Sequence, residues 1–161
     1  MTARKTKDDP DDKIPVGQNR KARHDYEILE VFEAGIELKG PEVKSLRERN
    51  LSFEGSFARA DEGVLELHNL HIGPYKHNSL EDIPPTRTRR LLMHKREILR
   101  IESRLISKGL TLVPLEVYFR RGWAKVALAL AKGKQAPDKR QKLRRDQEKR
   151  DLAKSFKCRI K

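Results

Sequence analysis

The sequence predicts a small, mostly antiparallel β-barrel with packed helices and a basic C-terminal tail. Short stretches of alternating apolar and polar residues recur between residues 26 and 130, which is typical of half-buried strands. Two glycine-bearing turn signals, Asp61-Glu62-Gly63 and Arg120-Arg121-Gly122, each separate two such stretches and predict hairpins. The net charge of +13 is concentrated in residues 132–161, where thirteen Lys and Arg accompany four acids. A nearly neutral body with a basic end indicates a polyanionic partner, most simply nucleic acid.

Length and composition predict one domain flanked by two polar segments. The chain has 161 residues, and 36% of them are hydrophobic, enough for one small core. We expect residues 1–15 to form a disordered arm, residues 16–133 the barrel, and residues 134–161 a basic tail that is disordered when free. There is no long apolar run and no secretory segment, so we expect neither a membrane span nor export. The single cysteine, Cys158, fits a reducing cytoplasm.

The first half of the predicted barrel contains a bend between a strand and a short helix. Residues 26–32 read as a strand, and the alternation continues to Lys39. Gly40-Pro41 then begins a helix, because proline at the first turn lacks only an N–H that has no helical partner there. Gly35 is expected at a bulge or a close approach, with positive φ. Just before the strand we expect a loop that presents Asn19, Arg20, Lys21 and Arg23 to phosphates.

The second half is predicted to contain a hairpin, a long helix and a last hairpin. Residues 53–60 and 64–68 form the first hairpin, with positive φ at Gly63. Residues 86–108 predict a helix with two apolar lines at seven-residue spacing, Leu91-Ile98-Leu105 and Leu92-Leu99-Ile106, ending at Gly109. Its first turn is basic (Arg87, Arg89, Arg90), which opposes the helix dipole and favours a phosphate ligand there. In the last hairpin, Val113, Leu115, Val117 and Phe119 are expected on one face. The five-stranded oligonucleotide-binding barrel is the closest common architecture.

The histidines are candidates for metal binding and for catalysis. His68 and His71 have no cysteine or carboxylate cluster nearby in sequence to complete a zinc site, so we expect no metal and no cofactor. For an enzyme, His94 and Glu97 would be the acid–base pair, but no nucleophile or phosphate loop accompanies them. Aromatic residues are 6% of the chain, and most of them occupy core-type positions: Tyr26, Phe32, Phe57 and Phe119. The candidates left for stacking on bases are Tyr75, Tyr118 and Trp123. With so few stacking platforms, recognition of a folded RNA is favoured over reading of splayed bases.

Several segments together resemble the SsrA-binding protein (SmpB) family of bacteria. They are NRKARHDYEI, FEAGIELKGPEVKSLR, HIGPY, TRTRRLLMHKREI and GLTLVPLEVYFRRGWAKVALALAKGKQAPDKR, and the similarity runs in order from Gly17 to Arg140. The resemblance implies an oligonucleotide-binding-type barrel that binds transfer-messenger RNA (tmRNA) as a monomer. It also implies entry into stalled ribosomes, with the basic tail in the decoding region of the small subunit. It implies neither an enzyme nor a small-molecule substrate.

The family's RNA contacts are carried over to matching positions, and basic neighbours extend the expected site. The expected RNA-binding residues are Asn19, Arg20, Lys21, Arg23, His24, Glu33, Ala34, Gly35, Lys44, Arg47, Leu91, Leu92, Trp123, Lys125, Lys132 and Lys134. The expected ribosome-binding residues of the tail are Asp138, Lys139, Arg140, Lys142, Arg144, Arg145, Lys149, Arg150, Lys154, Phe156 and Ile160. Leu152, Phe156 and Ile160 are spaced by four, which predicts a helix when the tail is docked.

Two positions depart from the family pattern. Pro41 replaces a residue of another type, which the helix start tolerates. Pro137 stands where the family commonly has an aromatic residue or histidine that stacks on ribosomal RNA, so that contact is not expected here. A generic single-strand nucleic-acid chaperone remains the alternative function. It would bind unstructured oligonucleotides as tightly as a folded RNA.

Overall fold

The computed structural model describes residues 13–76, 83–106 and 109–134, and the chain forms nine strands and three helices within them. In chain order the elements are β1 (Lys13–Gln18), α1 (Arg20–Asp25), β2 (Tyr26–Ile36), α2 (Gly40–Arg47), β3 (Leu51–Ser52), β4 (Phe57–Asp61), β5 (Val64–His68), β6 (His71–Ile72), β7 (Arg89–Leu92), α3 (Lys95–Leu105), β8 (Leu110–Arg120) and β9 (Trp123–Gly133). The expectations for residues 1–12 and 135–161 lie outside the described residues. β1 begins at Lys13, so the last three residues of the predicted arm belong to the barrel.

Six strands close into an antiparallel ring. The order around it is β8-β4-β5-β7-β2-β9, and β9 pairs back with β8. β1 joins the edge of β8 that also meets β4: it pairs with residues 116–120, and β4 pairs at Leu112. β3 and β6 form a separate two-stranded sheet. The predicted class, a mostly β ring resembling a barrel with packed helices, is confirmed. The ring has six strands where the closest common architecture has five.

The two long strands β8 and β9 each contribute side chains to two cores, and a β-bulge in β8 exchanges the faces of that strand. β9 alternates cleanly, with Val126, Leu128 and Leu130 in the main core and the intervening alanines in a second cluster on the outer face. In β8 the pairing shifts between Pro114 and Glu116. Consequently Val113 and Leu115 face the outer cluster, whereas Val117 and Phe119 face the main core. The prediction that these four residues share one face was wrong, because the bulge exchanges the faces.

The helix at Gly40–Arg47 is confirmed, with Pro41 in its first turn. The segment before β2 was expected to be a loop but forms α1. β2 is one strand through Ile36, and its bulge lies between Ile28 and Glu30, so a bulge at Gly35 was wrong. Gly35 also lacks the positive φ expected of it, although it is a close approach: an added Cβ would lie 3.4 Å from Leu92 Cβ.

The predicted long helix is in fact a strand followed by a shorter helix. Residues 89–92 form β7 between β5 and β2, and α3 begins only at Lys95. Ile98 and Ile101 of α3 are buried in the main core. The second predicted apolar line is exposed: Leu92 by 56%, Leu99 by 48% and Ile106 by 81%. Across the described ranges, no helix is long and apolar enough to cross a membrane.

Both predicted hairpins are confirmed. β4 and β5 are joined by Glu62 and Gly63, with φ of 50° and 75°, and β8 and β9 by Arg121 and Gly122, with φ of 51° and 79°. Two consecutive left-handed residues match the right-handed twist of the flanking strands. The first strand of the first hairpin starts at Phe57 and not at residue 53.

A buried ionic network joins α2 to the start of β7 and to the segment that precedes β7. Glu42 and Arg89 are 4% and 0% exposed, and Arg89 Nε donates to Glu42 Oε1 at 2.9 Å. Arg89 also donates to the carbonyls of Leu70 (2.5 Å) and Pro85 (2.9 Å), and Arg87 donates to Glu42 Oε2 at 2.6 Å. Burial would raise the pKa of the Glu42 carboxyl, but hydrogen bonds from both arginines and from the Lys39 N–H outweigh it and hold this pKa below its ordinary value. Arg87 and Arg89 therefore serve the fold, and the expectation that they present a helix N-terminus to phosphate was wrong.

Replacing Arg89 with methionine should lower the free energy of unfolding by about 3–5 kcal/mol, because the Glu42 carboxylate would lose its fully buried partner and the Leu70 and Pro85 carbonyls would lose their donor. Arg90→Met is the matched control, since Arg90 is exposed on the same strand and should change stability by less than about 0.5 kcal/mol. Denaturant unfolding of both variants measures the difference. Equal stabilities would contradict the role assigned to the network.

Candidate nucleic-acid interface

Asn19 ties α1 to strand β8. Its Oδ1 accepts the Ala22 N–H at 3.0 Å and so caps the helix, while Nδ2 donates to the Pro114 carbonyl at 3.0 Å. Its backbone N–H donates to the Leu115 carbonyl at 2.6 Å. Ala22, 3% exposed, then packs in the outer cluster against the alanines of β9. This placement leaves the other side of α1 exposed, with Arg20, Lys21, Arg23 and His24 on the surface.

The C-terminal end of α1 is closed by Lys134. Its Nζ donates to the carbonyls of Arg23 and His24, both at 3.2 Å, and its backbone N–H donates to the Asp25 carbonyl at 3.0 Å. A cation at this end satisfies carbonyls that have no partner within the helix. Lys134 was predicted to contact RNA, but the structure gives its ammonium group a role in holding α1.

A second group of charges lies on the same outer face. Glu33 accepts hydrogen bonds from the Tyr118 hydroxyl and the Lys125 ammonium, and it lies 3.4 Å from Arg120 Nη1. The bond from Lys125, followed by that from Tyr118, lowers the pKa of Glu33. Burial, together with the bond to Glu33, raises the pKa of Tyr118, so its hydroxyl stays protonated and donates.

Lys13 extends this group from the neighbouring strand. Its ammonium pairs with Glu116 and lies 4.1 Å from the centre of the Tyr118 ring. Three cations are thus held in place by two carboxylates and one aromatic ring. We call α1 together with this group the outer wall; the group comprises Lys13, Glu33, Glu116, Tyr118, Arg120 and Lys125. The wall carries an excess of positive charge, with Lys13, Arg120 and Lys125 oriented by partners and Arg20, Lys21 and Arg23 exposed on α1, which suits contact with a phosphate backbone.

Helix α2 does not complete this wall. Arg47 lies 5.9 Å from the Phe119 ring, and Phe119 belongs to the main core, whereas Tyr118 faces the outer wall. Arg47 and Lys125 are therefore on opposite faces of the β8–β9 hairpin and do not form one patch. Lys44 lies 5.3 Å from the Tyr75 ring.

The remaining expected residues are scattered. Ala34 and Leu91 are 1% and 2% exposed in the main core, so their side chains have no surface to offer a ligand. Gly35 and Leu92 adjoin each other, and Lys132 is exposed near the end of β9. The expected tail residues from Asp138 to Ile160 all lie outside the described part of the chain.

The structure also changes which aromatic side chains are available to stack on bases. Tyr118, expected to be available for stacking, is only 4% exposed, while Trp123 is 75% exposed. Phe57 was predicted to lie in the core but is 40% exposed and stacks on His68 at a centroid distance of 5.1 Å. Phe57 also lines a groove of about 740 Å³ that runs beside α1 and includes Arg20 and Lys21.

Sequence reasoning missed Lys13, Glu116 and Arg120. Glu116 and Tyr118 alternate along β8, a local signal that could have placed them on one face, but Lys13 joins them only through strand pairing 103 residues apart. Within the described ranges, no cluster of His, Cys, Asp and Glu is arranged to hold a metal ion. His94 precedes the first turn of α3, and its backbone carbonyl accepts the Glu97 N–H at 2.9 Å.

Comparison with known proteins identifies close relatives. The SmpB protein family matches residues 16–158. An SsrA-binding protein of Thermus thermophilus is 54% identical over 139 residues, covering 86% of this chain and 96% of the relative. That of Aquifex aeolicus is 48% identical over 148 residues, covering 91% and 94%.

A solved structure agrees with these sequence matches. It is described as "tmRNA-SmpB: a journey to the center of the bacterial ribosome" and superimposes with a TM-score of 0.65 at 58% identity. The match covers 76% of this chain and 86% of the solved chain.

Replacing Asn19 with alanine should lower the free energy of unfolding by about 0.5–2 kcal/mol, because α1 loses its cap. Asn19→Ser keeps a cap acceptor and loses the side-chain bond to Pro114 without placing a charge beside that carbonyl, so its effect should be smaller. Arg20→Ala, one residue along on the exposed side, serves as the control and should change stability by less than about 0.5 kcal/mol. Thermal unfolding measures the stability of the three variants. Equal stabilities of all three would contradict the capping role of Asn19.

Proposed function

Because the chain belongs to the SmpB family of SsrA-binding proteins, we propose that it binds tmRNA and carries it to stalled ribosomes for trans-translation. The observation that carries this proposal is the outer wall. It places cations on two parts of one surface: exposed cations on α1 and oriented cations in the group around Glu33. The protein acts in this proposal by binding and not by catalysis, as a monomer in the cytoplasm, where its ribosomal partner is found.

The wall favours the backbone of a folded RNA over unstacked bases. Arg20, Lys21 and Arg23 are exposed along one short helix, and Lys125 and Arg120 lie further along the same face. Such an array matches phosphates at set separations, as a tRNA-like fold presents them. Proteins that hold unstructured strands use rows of exposed aromatic rings. The outer wall offers no such row: Tyr118 is buried, and the exposed rings next to the wall, Phe57 and Trp123, are single residues on different strands.

Glu33 has a positioning role in this proposal. A carboxylate facing RNA repels phosphate, yet this one directs the Lys125 ammonium and fixes the Tyr118 hydroxyl beneath it. Holding a long lysine side chain in one place reduces the conformational entropy lost on binding. The benefit of an oriented cation then exceeds the cost of the nearby negative charge.

Replacing Glu33 with glutamine therefore tests the function and the wall together. The variant gains one positive net charge, but we expect weaker binding to the tRNA-like domain of tmRNA, because Lys125 loses its anchor. Glu37→Gln is the matched control, exposed just beyond the end of β2, and should bind equally well or slightly more tightly. Affinities are measured by titration at several salt concentrations, with an unstructured RNA of equal length as the second ligand.

Two results would count against the proposal. Wild-type protein that binds the unstructured RNA as tightly as the tRNA-like domain would favour the single-strand chaperone. Tighter binding by Glu33→Gln would show that the wall responds to net charge alone, with no positioned contacts.

We also propose that residues 135–161 act on the ribosome and contribute little to tmRNA binding. Their high density of Lys and Arg suits an RNA-lined channel that is free only when mRNA is absent. The proposal includes the tail residues named from the sequence, with Pro137 contributing no stacking contact.

Truncation after Lys134 should leave most of the affinity for the tRNA-like domain and abolish peptide tagging on stalled ribosomes. Lys134 must be kept, because it holds the end of α1. A full-length variant with residues 141–161 scrambled at constant composition is the control for charge alone. Normal tagging by either protein would refute the role of the tail sequence.

A further inference from the structure

A second basic surface lies on the face of the β8–β9 hairpin opposite the outer wall. It is a groove of about 310 Å³ between β1, the C-terminal end of α2 and the β8–β9 turn. Arg47, Arg49 and Arg121 line it, over a floor that includes Ile14, Pro15 and Phe119. We call it the arginine groove. Of these residues, only Arg47 was expected to bind RNA.

The positive charge of the arginine groove is not compensated within the described part of the chain. No acidic residue there lines it, and none of its three arginines forms an ion pair with a carboxylate of the described residues. Elsewhere in the same ranges, six arginines have such partners (Arg59, Arg87, Arg89, Arg100, Arg104 and Arg120), and Arg20, Arg23, Arg90 and Arg96 have none; the groove differs from these in bringing three such arginines to one depression. Three guanidinium groups around one depression, with no carboxylate among them, call for an anionic ligand.

The backbone adds an independent observation. Arg49 has a φ of 60° and follows the end of α2, where the Arg49 and Asn50 N–H groups donate to the Leu46 and Ser45 carbonyls. This Schellman arrangement usually has glycine at that position. Arg121 has a φ of 51° in a turn position that favours glycine, asparagine or aspartate. Two left-handed positions thus hold arginine at a conformational cost, and both line the same groove.

The floor narrows the chemistry of the ligand. Ile14 is 54% exposed and forms the accessible part of the floor, whereas Phe119 is 7% exposed and lies beneath the Arg47 guanidinium at 5.9 Å. An apolar floor bounded by cations suits a flat ring attached to phosphates, since a base packs on apolar and guanidinium surfaces while arginine binds phosphate through two N–H groups. The groove volume of about 310 Å³ lies near the lower end of the range for ligand sites, a size that suits one nucleotide.

We propose that the arginine groove binds one unpaired RNA nucleotide, with its base on the floor and its flanking phosphates on Arg49 and Arg121. The inference rests on the proposed function only in taking RNA as the ligand. Because the groove faces away from the outer wall, the nucleotide comes either from tmRNA or from ribosomal RNA, and the test separates these sources.

The test uses full-length protein with the double substitution Arg49→Asn and Arg121→Asn. Asparagine tolerates positive φ, so both guanidinium groups are removed without straining the backbone, and the thermal unfolding midpoint should not fall. Ile14→Ser tests the floor separately, at an exposed position. Binding is measured to the isolated tRNA-like domain, to full-length tmRNA and to vacant small ribosomal subunits, each at several salt concentrations.

We expect the arginine variant to lose about tenfold or more in affinity in at least one arm, with a salt slope reduced by about 0.7 for each phosphate contact of a single strand. The arm that is affected identifies the source of the nucleotide, and Ile14→Ser should weaken the same arm. Unchanged affinity of the folded arginine variant in all arms would overturn the site. If the arginine variant loses affinity but Ile14→Ser does not, the proposal that a base packs on the floor of the groove would be overturned. Failure of wild-type protein to bind tmRNA would instead refute the proposed function.

Discussion

The β8–β9 hairpin is buried on both of its faces, and the rest of the structure is arranged around this constraint. Val126, Leu128 and Leu130 fill the barrel interior, while the alternate alanines lie under α1 and are almost completely buried. Their small side chains leave room for a helix to pack closely on the sheet. A hairpin with no free face cannot itself form a binding surface. Contacts with a ligand must therefore come from elements that pack on the hairpin, such as α1, or from residues near the ends of its two strands.

The parts of the fold that depend on local chemistry were predictable. Glu62-Gly63 and Arg121-Gly122 mark hairpins because few residues adopt two successive left-handed conformations. Gly40-Pro41 marks the start of α2 for an equally local reason. The strand at residues 89–92 was not predictable in this way, because an arginine in a buried position requires a partner. That partner is Glu42, 47 residues earlier in the chain.

The candidate interface was predictable in its cations but not in its geometry. A sequence shows that Lys125 is basic, yet the carboxylate that orients it, Glu33, is 92 residues away. The bulge in β8 has a larger effect, since one extra residue exchanges the faces of everything after it. Without that bulge, Phe119 would point to the outer wall and the arginine groove would have no floor. Helix α1 escaped notice because six residues are too few to show periodicity, and Asn19 holds it through contacts with β8.

The three hydrogen bonds of Lys134 have a mechanical consequence. They fasten the chain to the last carbonyls of α1 at the residue where the barrel ends. Because Lys134 directly follows β9, a pull on the segment that follows is transmitted both to the sheet, through the chain, and to α1, through these hydrogen bonds. A load applied at that end of the molecule would reach the helix that carries Arg20, Lys21 and Arg23. Lys134 thus couples the chain that follows β9 mechanically to α1 in the proposed adaptor.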